Sequence, residues 1–125
     1  MSARRTVVLV EDHRPVAMMY AIGLEVRGFR VVTFDSGTAL FGRLGDVKPD
    51  VIVLDWVLPG IDGAHVFASL VRDTRTRDTP ILILSALAHP DAEREGALKA
   101  GAAAWLEKVH TPPRVLAQKI DELLG

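Results

Sequence analysis

Four short runs of aliphatic and β-branched residues, none of them alternating with polar residues, constrain the fold most strongly. They are TVVLV (6–10), RVVTF (30–34), VIVL (51–54) and ILIL (81–84), and a weaker fifth run is AAAWL (102–106). Such runs are typical of strands that are buried on both faces of a parallel sheet. The alanines of the fifth run fit a helix as well as a strand.

Segments of helical composition separate these runs. They are residues 15–27, 38–44, 64–72, 92–100 and 112–124. Asp62, Asp91 and Thr111 are suitable N-caps for the last three, and Gly28 and Gly101 stand where helices are expected to end. The alternation of five strands with five helices predicts an α/β fold with a doubly wound parallel sheet.

The composition excludes several other classes of protein. Lys and Arg together number 15 and Asp and Glu number 16, and this balance does not favour a surface that contacts nucleic acid directly. The absence of cysteine excludes disulfides and thiolate sites. The apolar run at 7–10 is too short for a signal sequence or a membrane span. We therefore expect a single cytoplasmic domain over residues 1–125, without membrane contact.

Polar side chains follow four of the five predicted strands. They are Glu11 and Asp12, Asp55, Ser85, and Glu107 with Lys108. Ligands of open parallel sheets bind at the carboxyl ends of the strands, so we expect these side chains to converge at one edge.

The expected cluster suggests phosphoryl chemistry. Glu11, Asp12 and Asp55 would repel one another and require a counter-charge, for which a hard divalent cation, Mg²⁺ or Mn²⁺, is suited. Lys108 and Ser85 can contact a phosphoryl group. A carboxylate in such surroundings can attack phosphorus, which predicts that Asp55 is a nucleophile.

Four segments in this order and spacing carry a resemblance to a known family. They are VLVED (8–12), DWVLPGIDG (55–63), ILILSAL (81–87) and GAAAWLEK (101–108). Over essentially its full length, the chain resembles the receiver domains of two-component response regulators. The resemblance implies a five-stranded parallel sheet of order 2-1-3-4-5 with five helices, the flavodoxin-like receiver topology.

The resemblance also implies which residues form the site. Asp55 would be the phosphoacceptor. Glu11, Asp12, Asp55 and the backbone carbonyl of Val57 would be the ligands of Mg²⁺.

Three further residues correspond to the switch of the family. Lys108 and Ser85 would contact the phosphoryl group, and Ser85 and Trp105 would then change the surface formed by the fourth helix, fifth strand and fifth helix. The chain would be no enzyme beyond its own phosphorylation and dephosphorylation.

The resemblance implies protein partners. A histidine kinase or a histidine phosphotransfer protein would donate the phosphoryl group, and a downstream protein target or a covalently linked output domain would respond. The segment 15–24 is apolar on all sides, unlike an ordinary surface helix. Its Met18, Met19 and Ile22 suit docking to the phosphodonor protein or to a second copy of the chain. The alternative is a helix that is buried more deeply than usual.

The sequence departs from the family pattern in two places near the predicted switch. Val109 follows Lys108, where family members usually have proline in a cis peptide. Ala103 and Ala104 stand where many transcription-factor receivers carry an acidic pair, which argues against the dimer that this pair supports.

A third departure concerns the lifetime of the phosphorylated form. The residues two positions beyond Asp55 and Ser85 are Val57 and Leu87. Neither side chain can orient an attacking water, so we predict a long-lived phosphoaspartate.

Other interpretations of these residues remain open. Glu11 and Asp12 could cap the first helix, and Trp105 could be a core residue. A phosphatase of the haloacid dehalogenase type is a second functional class, although it needs an acid at the position of Val57. A nucleotide- or flavin-binding domain is a third, although EDHRP (11–15) replaces the glycine-rich phosphate loop.

Overall fold

The apolar runs form the strands that their pattern predicts. The computed structural model describes residues 4–86 and 91–125. The elements are β1 (Thr6–Val10), α1 (Arg14–Glu25), β2 (Arg30–Phe34), α2 (Gly37–Arg43), β3 (Val51–Asp55), α3 (Gly63–Arg72), β4 (Ile81–Ser85), α4 (Asp91–Lys99), β5 (Ala104–Glu107) and α5 (Pro113–Leu124). A 3₁₀ turn, Lys108–His110, connects β5 to α5.

All five strands are parallel, in the order β2-β1-β3-β4-β5. The predicted α/β fold with a doubly wound sheet of order 2-1-3-4-5 is therefore confirmed. β3 and β4 each extend one residue beyond the prediction, because Asp55 and Ser85 still pair with neighbouring strands.

The sheet separates two hydrophobic clusters. Ile52 and Leu54 of β3 face one cluster, which contains buried residues of α2, α3 and α4, and Val51 and Val53 face the other, which contains those of α1 and α5. Both sets of β3 side chains are buried because helices cover both faces, which explains the lack of polar alternation in its sequence. Among the described residues, none of the helices combines the length and apolar character needed to cross a membrane.

The predictions for helix ends have mixed outcomes. Asp62 is the N-cap of α3 as predicted, and its side chain accepts a hydrogen bond from the backbone N–H of His65 at 3.0 Å. Gly28 and Gly101 follow α1 and α4 with φ of 95° and 115°, a conformation that favours glycine.

Two predicted caps are wrong. Asp91 is the first residue of α4 and therefore lies inside the helix. Pro112 occupies the N-cap of α5, and Thr111 instead donates its hydroxyl hydrogen to the carbonyl of Glu107 at 2.7 Å. The hydroxyl thus closes the preceding turn rather than starting the helix.

Candidate functional site

The strand register brings the acidic strand ends together. Val10 of β1 pairs with Leu54 of β3, so the next residues of the two strands, Glu11 and Asp55, are neighbours. One carboxylate oxygen from each of Glu11, Asp12 and Asp55 lies within 4.8 Å of the other two. This set of hard oxygen donors fits a divalent cation such as Mg²⁺.

The same register places the two predicted phosphoryl contacts at this edge. Asp55 pairs with Leu84 of β4, so Ser85 lies one residue further along the adjacent strand, and it is buried there. Ser85 pairs with Glu107 of β5, and Lys108 follows immediately.

Lys108 joins the two buried acids of the cluster. Its Nζ donates one hydrogen bond to Oε1 of Glu11 and another to Oδ2 of Asp55, the second at 3.1 Å. Burial of the Glu11 carboxyl and its contact with Asp55 raise its pKa, although Lys108 acts in the opposite direction. Burial alone would lower the pKa of Lys108, but the hydrogen bond to Glu11 and the charge of Asp55 outweigh it and raise the pKa. Lys108 therefore remains a cation beside Asp55.

The loop after β3 folds back on Asp55. The backbone N–H of Val57 donates to Oδ1 of Asp55 at 3.2 Å, while the Val57 side chain is exposed. Helix α3 begins so close to this backbone that a Cβ at Gly63 would stand 2.4 Å from the carbonyl oxygen of Trp56. Glycine at the start of α3 thus permits the loop to return to the site.

Two tryptophans connect this edge to the predicted switch face. Trp105 of β5 is half-buried, and its ring lies 4.9 Å from that of Trp56 in an edge-on arrangement. Trp56 is buried, and its Nε1 donates to Oε1 of Glu93 in α4 at 2.5 Å. The sequence indicated no role for Glu93, because a glutamate on a polar helix resembles any solvated residue.

The turn after β5 has no cis peptide. The Lys108–Val109 bond is trans, and the Val109 side chain is exposed. Sequence reasoning assigned Thr111 to a helix cap and overlooked Tyr20 of α1, whose hydroxyl donates to the Thr111 carbonyl at 2.8 Å and so supports this turn. The one available signal was a lone tyrosine in an apolar helix, since a buried phenol requires a hydrogen-bond partner.

Helix α1 is apolar on two sides but buried on one. Ala17, Tyr20 and Leu24 face the core. Met18, Met19 and Ile22, the predicted partner surface, have exposed fractions of 54%, 47% and 60%. The alternative of a helix buried more deeply than usual is therefore wrong.

The capping alternative for the acidic pair also fails. The N-cap of α1 is His13, whose side chain makes no capping hydrogen bond. Glu11 accepts from the backbone N–H of His13 with one carboxylate oxygen, and its other oxygen accepts from Lys108. Leu87, for which the sequence predicted an effect on phosphoaspartate lifetime, lies outside the described residues.

Comparisons with known proteins agree with this geometry. A family model for the response regulator receiver domain matches residues 7–121. The phosphate regulon transcriptional regulatory protein PhoB of Pseudomonas aeruginosa is 33% identical over 114 residues, which are 91% of this chain and 49% of that protein. The chain thus spans about half the length of the curated relatives of this type that it matches.

Solved structures show the same fold. The BeF3-activated N-terminal receiver domain of Klebsiella pneumoniae RstA has a TM-score of 0.85 at 30% identity, covering 96% of this chain and 98% of that one. The chemotaxis protein CheY4 of Vibrio cholerae has a TM-score of 0.86 at 26% identity, covering 98% of this chain and all of that one.

These matches do not favour a phosphatase of the haloacid dehalogenase type or a nucleotide- or flavin-binding domain. Receiver domains are the signalling domains of two-component systems. With the family model covering most of its length, the chain belongs to the response regulator receiver domain family.

Proposed function

We propose that the chain, as one receiver domain over residues 1–125, accepts a phosphoryl group on Asp55 from the phosphohistidine of a histidine kinase or a histidine phosphotransfer protein. The observation that carries this proposal is the position of Asp55. Its carboxylate belongs to a cluster of acids suited to a cation, and it also accepts a hydrogen bond from the ammonium of Lys108 at 3.1 Å.

The transfer exchanges one bond to phosphorus for another. An Asp55 carboxylate oxygen attacks phosphorus, the bond from phosphorus to the histidine nitrogen breaks, and the imidazole leaves. A cation held by Glu11, Asp12, Asp55 and the backbone carbonyl of Val57 would neutralise the acids, so that an anionic phosphoryl group can approach.

Two side chains would stabilise the transferred group. The Lys108 ammonium leaves its ion pair with Asp55 and forms an ion pair with a phosphoryl oxygen. The Ser85 hydroxyl donates a hydrogen bond to another phosphoryl oxygen. The phosphoryl group carries roughly 1.5 to 2 negative charges at pH 7 in place of the single charge of the Asp55 carboxylate, and its oxygens draw both groups toward Asp55.

The response would pass to the surface of α4, β5 and α5. Movement of Ser85 changes the space next to Trp105, which packs against Trp56. Since Trp56 is hydrogen-bonded to Glu93 of α4, a shift of the two tryptophan rings would move α4 as well. A downstream protein target or a covalently linked output domain would read the new surface.

Met18, Met19 and Ile22 of α1 would dock the phosphodonor protein, because they form an exposed apolar face on the helix that follows the acidic pair. Ile22→Glu should therefore slow transfer from a histidine kinase without slowing transfer from acetyl phosphate. Slower transfer from both donors would contradict docking, and a change from dimer to monomer would indicate that α1 joins two copies of the chain.

The phosphoacceptor is tested by intact mass after incubation with acetyl phosphate, with Mg²⁺ or with EDTA. Asp55→Asn removes the nucleophile with little change in shape. Asp35→Asn is the matched control, because Asp35 is an exposed carboxylate that follows β2 at the same edge.

We expect a gain of one phosphoryl group that requires Mg²⁺, persists in Asp35→Asn and is absent in Asp55→Asn. A gain that persists in Asp55→Asn would refute this assignment. Continuous release of phosphate from p-nitrophenyl phosphate would instead favour a phosphatase.

A further inference from the structure

We propose that Tyr20 and Thr111 are positioning residues for Lys108, and that two successive hydrogen bonds hold the turn that carries this lysine beside Asp55. The inference rests on the proposed function, since Lys108 acts there as the cation that meets the phosphoryl group.

The turn itself provides little support for Lys108. Lys108 is the first residue of the 3₁₀ turn, whose own backbone bond joins the N–H of Thr111 to the Lys108 carbonyl at 3.1 Å. Such turns are short and have poorer hydrogen-bond geometry than an α-helix. Val109, its middle residue, is 76% exposed and adds little packing. The pairing of β5 fixes the chain as far as Glu107, and beyond that residue the position of Lys108 depends on contacts at the end of the turn.

Thr111 makes two hydrogen bonds that hold the turn, one through its hydroxyl and one through its carbonyl. Its hydroxyl donates to the carbonyl of Glu107, the residue before Lys108, at 2.7 Å. Its carbonyl accepts from the hydroxyl of Tyr20 at 2.8 Å. Tyr20 lies on α1, which begins just after Glu11 and Asp12. Helix α1 therefore connects the acidic pair of the site to the turn that carries Lys108.

Helix α1 also packs against the chain just beyond Thr111. Gly23 lies one turn after Tyr20, on the same side of the helix. A Cβ at Gly23 would stand 2.3 Å from Cβ of Pro113, so α1 and the start of α5 are in close contact. Tyr20 thus contacts Thr111, and Gly23 contacts Pro113. The turn cannot shift without disturbing both contacts.

Tyr20 is suited to act as a permanent donor. It is 1% exposed, and burial raises the pKa of its phenol, although the nearby charge of Lys108 opposes this shift. The phenol therefore keeps its proton. Loss of its hydroxyl would leave the buried Thr111 carbonyl without this partner, which favours movement of the turn.

Conservative variants isolate each hydrogen bond. Tyr20→Phe removes the phenol hydroxyl alone, Thr111→Val removes the hydroxyl that bonds Glu107, and Thr111→Ser retains it. Thr76→Val is the matched control. Thr76 is as buried as Thr111, and its hydroxyl donates to the Leu70 carbonyl at 2.8 Å. It precedes β4 and therefore lies at the amino-terminal ends of the strands, away from the site.

The first measurement is the rate of phosphorylation by acetyl phosphate at saturating Mg²⁺, together with the Mg²⁺ concentration for half-maximal rate. A misplacement of about 1 Å can slow a reaction by roughly 100-fold, so we expect Tyr20→Phe and Thr111→Val to be at least about fivefold slower. The half-maximal Mg²⁺ concentration should stay within about twofold, because the acidic cluster is intact. Thr111→Ser and Thr76→Val should react at nearly the wild-type rate.

The second measurement does not depend on phosphorylation. Trace acetylation followed by peptide mass analysis gives the reactivity of Lys108 relative to the other lysines of the chain, which are Lys48, Lys99 and Lys119. Ion pairs with Glu11 and Asp55 shield Lys108 in the wild type. We expect its relative reactivity to rise in Tyr20→Phe and to stay unchanged in Thr76→Val.

A folded Tyr20→Phe variant that is phosphorylated at the wild-type rate would overturn the proposal. Equal slowing of Thr76→Val and Thr111→Val would overturn it too, because lost stability would then explain both. If the wild type gains no phosphoryl group from acetyl phosphate or from a phosphorylated histidine kinase, the proposed function fails and the acetylation decides. Increased reactivity of Lys108 in Tyr20→Phe then supports the positioning role, and unchanged reactivity refutes it.

Discussion

Trp56 donates a hydrogen bond from its indole Nε1 to Oε1 of Glu93 at 2.5 Å, which ties the residue after Asp55 to helix α4. Helix α4 is mostly polar, and Ala97 is its one buried residue within the described part of the chain. A helix with so small an apolar face depends on other contacts for its position on the sheet. The indole–carboxylate bond is such a contact.

Trp56→Phe should loosen α4. The substitution keeps an aromatic ring beside Trp105 but removes the donor to Glu93, and a hydrogen bond to a charged group contributes about 1.5–3 kcal/mol. We expect amide hydrogen exchange in residues 91–99 to become about tenfold faster or more, with no change in α5. Glu93→Gln, which keeps an acceptor, should have a smaller effect. Unchanged exchange in Trp56→Phe would show that the hydrogen bond from Trp56 to Glu93 does not hold α4 in place.

Mg²⁺ should stabilise the fold. A ligand that binds the folded state alone adds about 2.7 kcal/mol to the free energy of unfolding at 100 times its dissociation constant. Urea unfolding followed by tryptophan fluorescence should therefore shift to higher urea in Mg²⁺ and return in EDTA. The shift should be lost in Asp12→Asn and kept in Asp35→Asn, and a shift that survives in Asp12→Asn would exclude Asp12 as a ligand.

Asp62 should stabilise α3 in a pH-dependent way. Hydrogen bonds from His65 lower the pKa of the Asp62 carboxyl below its usual 3.8. Its ionised form is thus favoured in the folded state, and this contribution is present above pH 3.8 and lost as the pH falls through the lowered pKa.

Asp62→Ala should cost about 1 kcal/mol in the free energy of unfolding at pH 7, as is typical of a lost N-cap. Asp62→Asn keeps the acceptor and should cost less, and its difference from wild type should shrink as the pH is lowered. Urea unfolding between neutral and acidic pH tests both variants. A difference that grows as the pH falls below 3.8 would contradict the sign of this pKa shift.

Gly63 should not tolerate a side chain. A Cβ there would lie 2.4–2.6 Å from backbone atoms of Trp56 and Asp55, which cannot move as a flexible side chain could. Gly63→Ala should therefore lower the free energy of unfolding by about 1–3 kcal/mol or more. Gly42→Ala is the control in α2, where nothing lies within 4 Å, and it should be neutral or stabilising by up to about 1 kcal/mol.

The phosphorylated form should be long-lived. The Val57 side chain is exposed beside Asp55 and offers no hydrogen bond to an attacking water. After removal of acetyl phosphate, loss of the phosphoryl group in Mg²⁺ should be slower in the wild type than in Val57→Asn, as followed by intact mass. Faster loss in the wild type would show that Val57 does not limit hydrolysis.

Most of the architecture was readable from local patterns. Apolar runs without alternation indicated buried parallel strands, and the residues that follow them indicated one shared edge. Parallel strands all have their carboxyl ends at the same edge of the sheet, so Glu11, Asp55 and Lys108 were expected at that edge. The resemblance to receiver domains added the strand order.

Contacts between distant segments could not be read in this way. The bonds from Tyr20 to Thr111 and from Trp56 to Glu93 join residues 91 and 37 positions apart, and each depends on how a helix packs against the sheet. Thr111 was wrongly predicted as a helix cap because Pro112 occupies the N-cap of α5, and the Thr111 hydroxyl instead donates to the carbonyl of Glu107 in the folded turn. Which of its two apolar sides α1 buries was likewise set by its packing against β2 and α5. Periodicity and strand ends are properties of a segment, whereas these bonds exist only after the helices have docked.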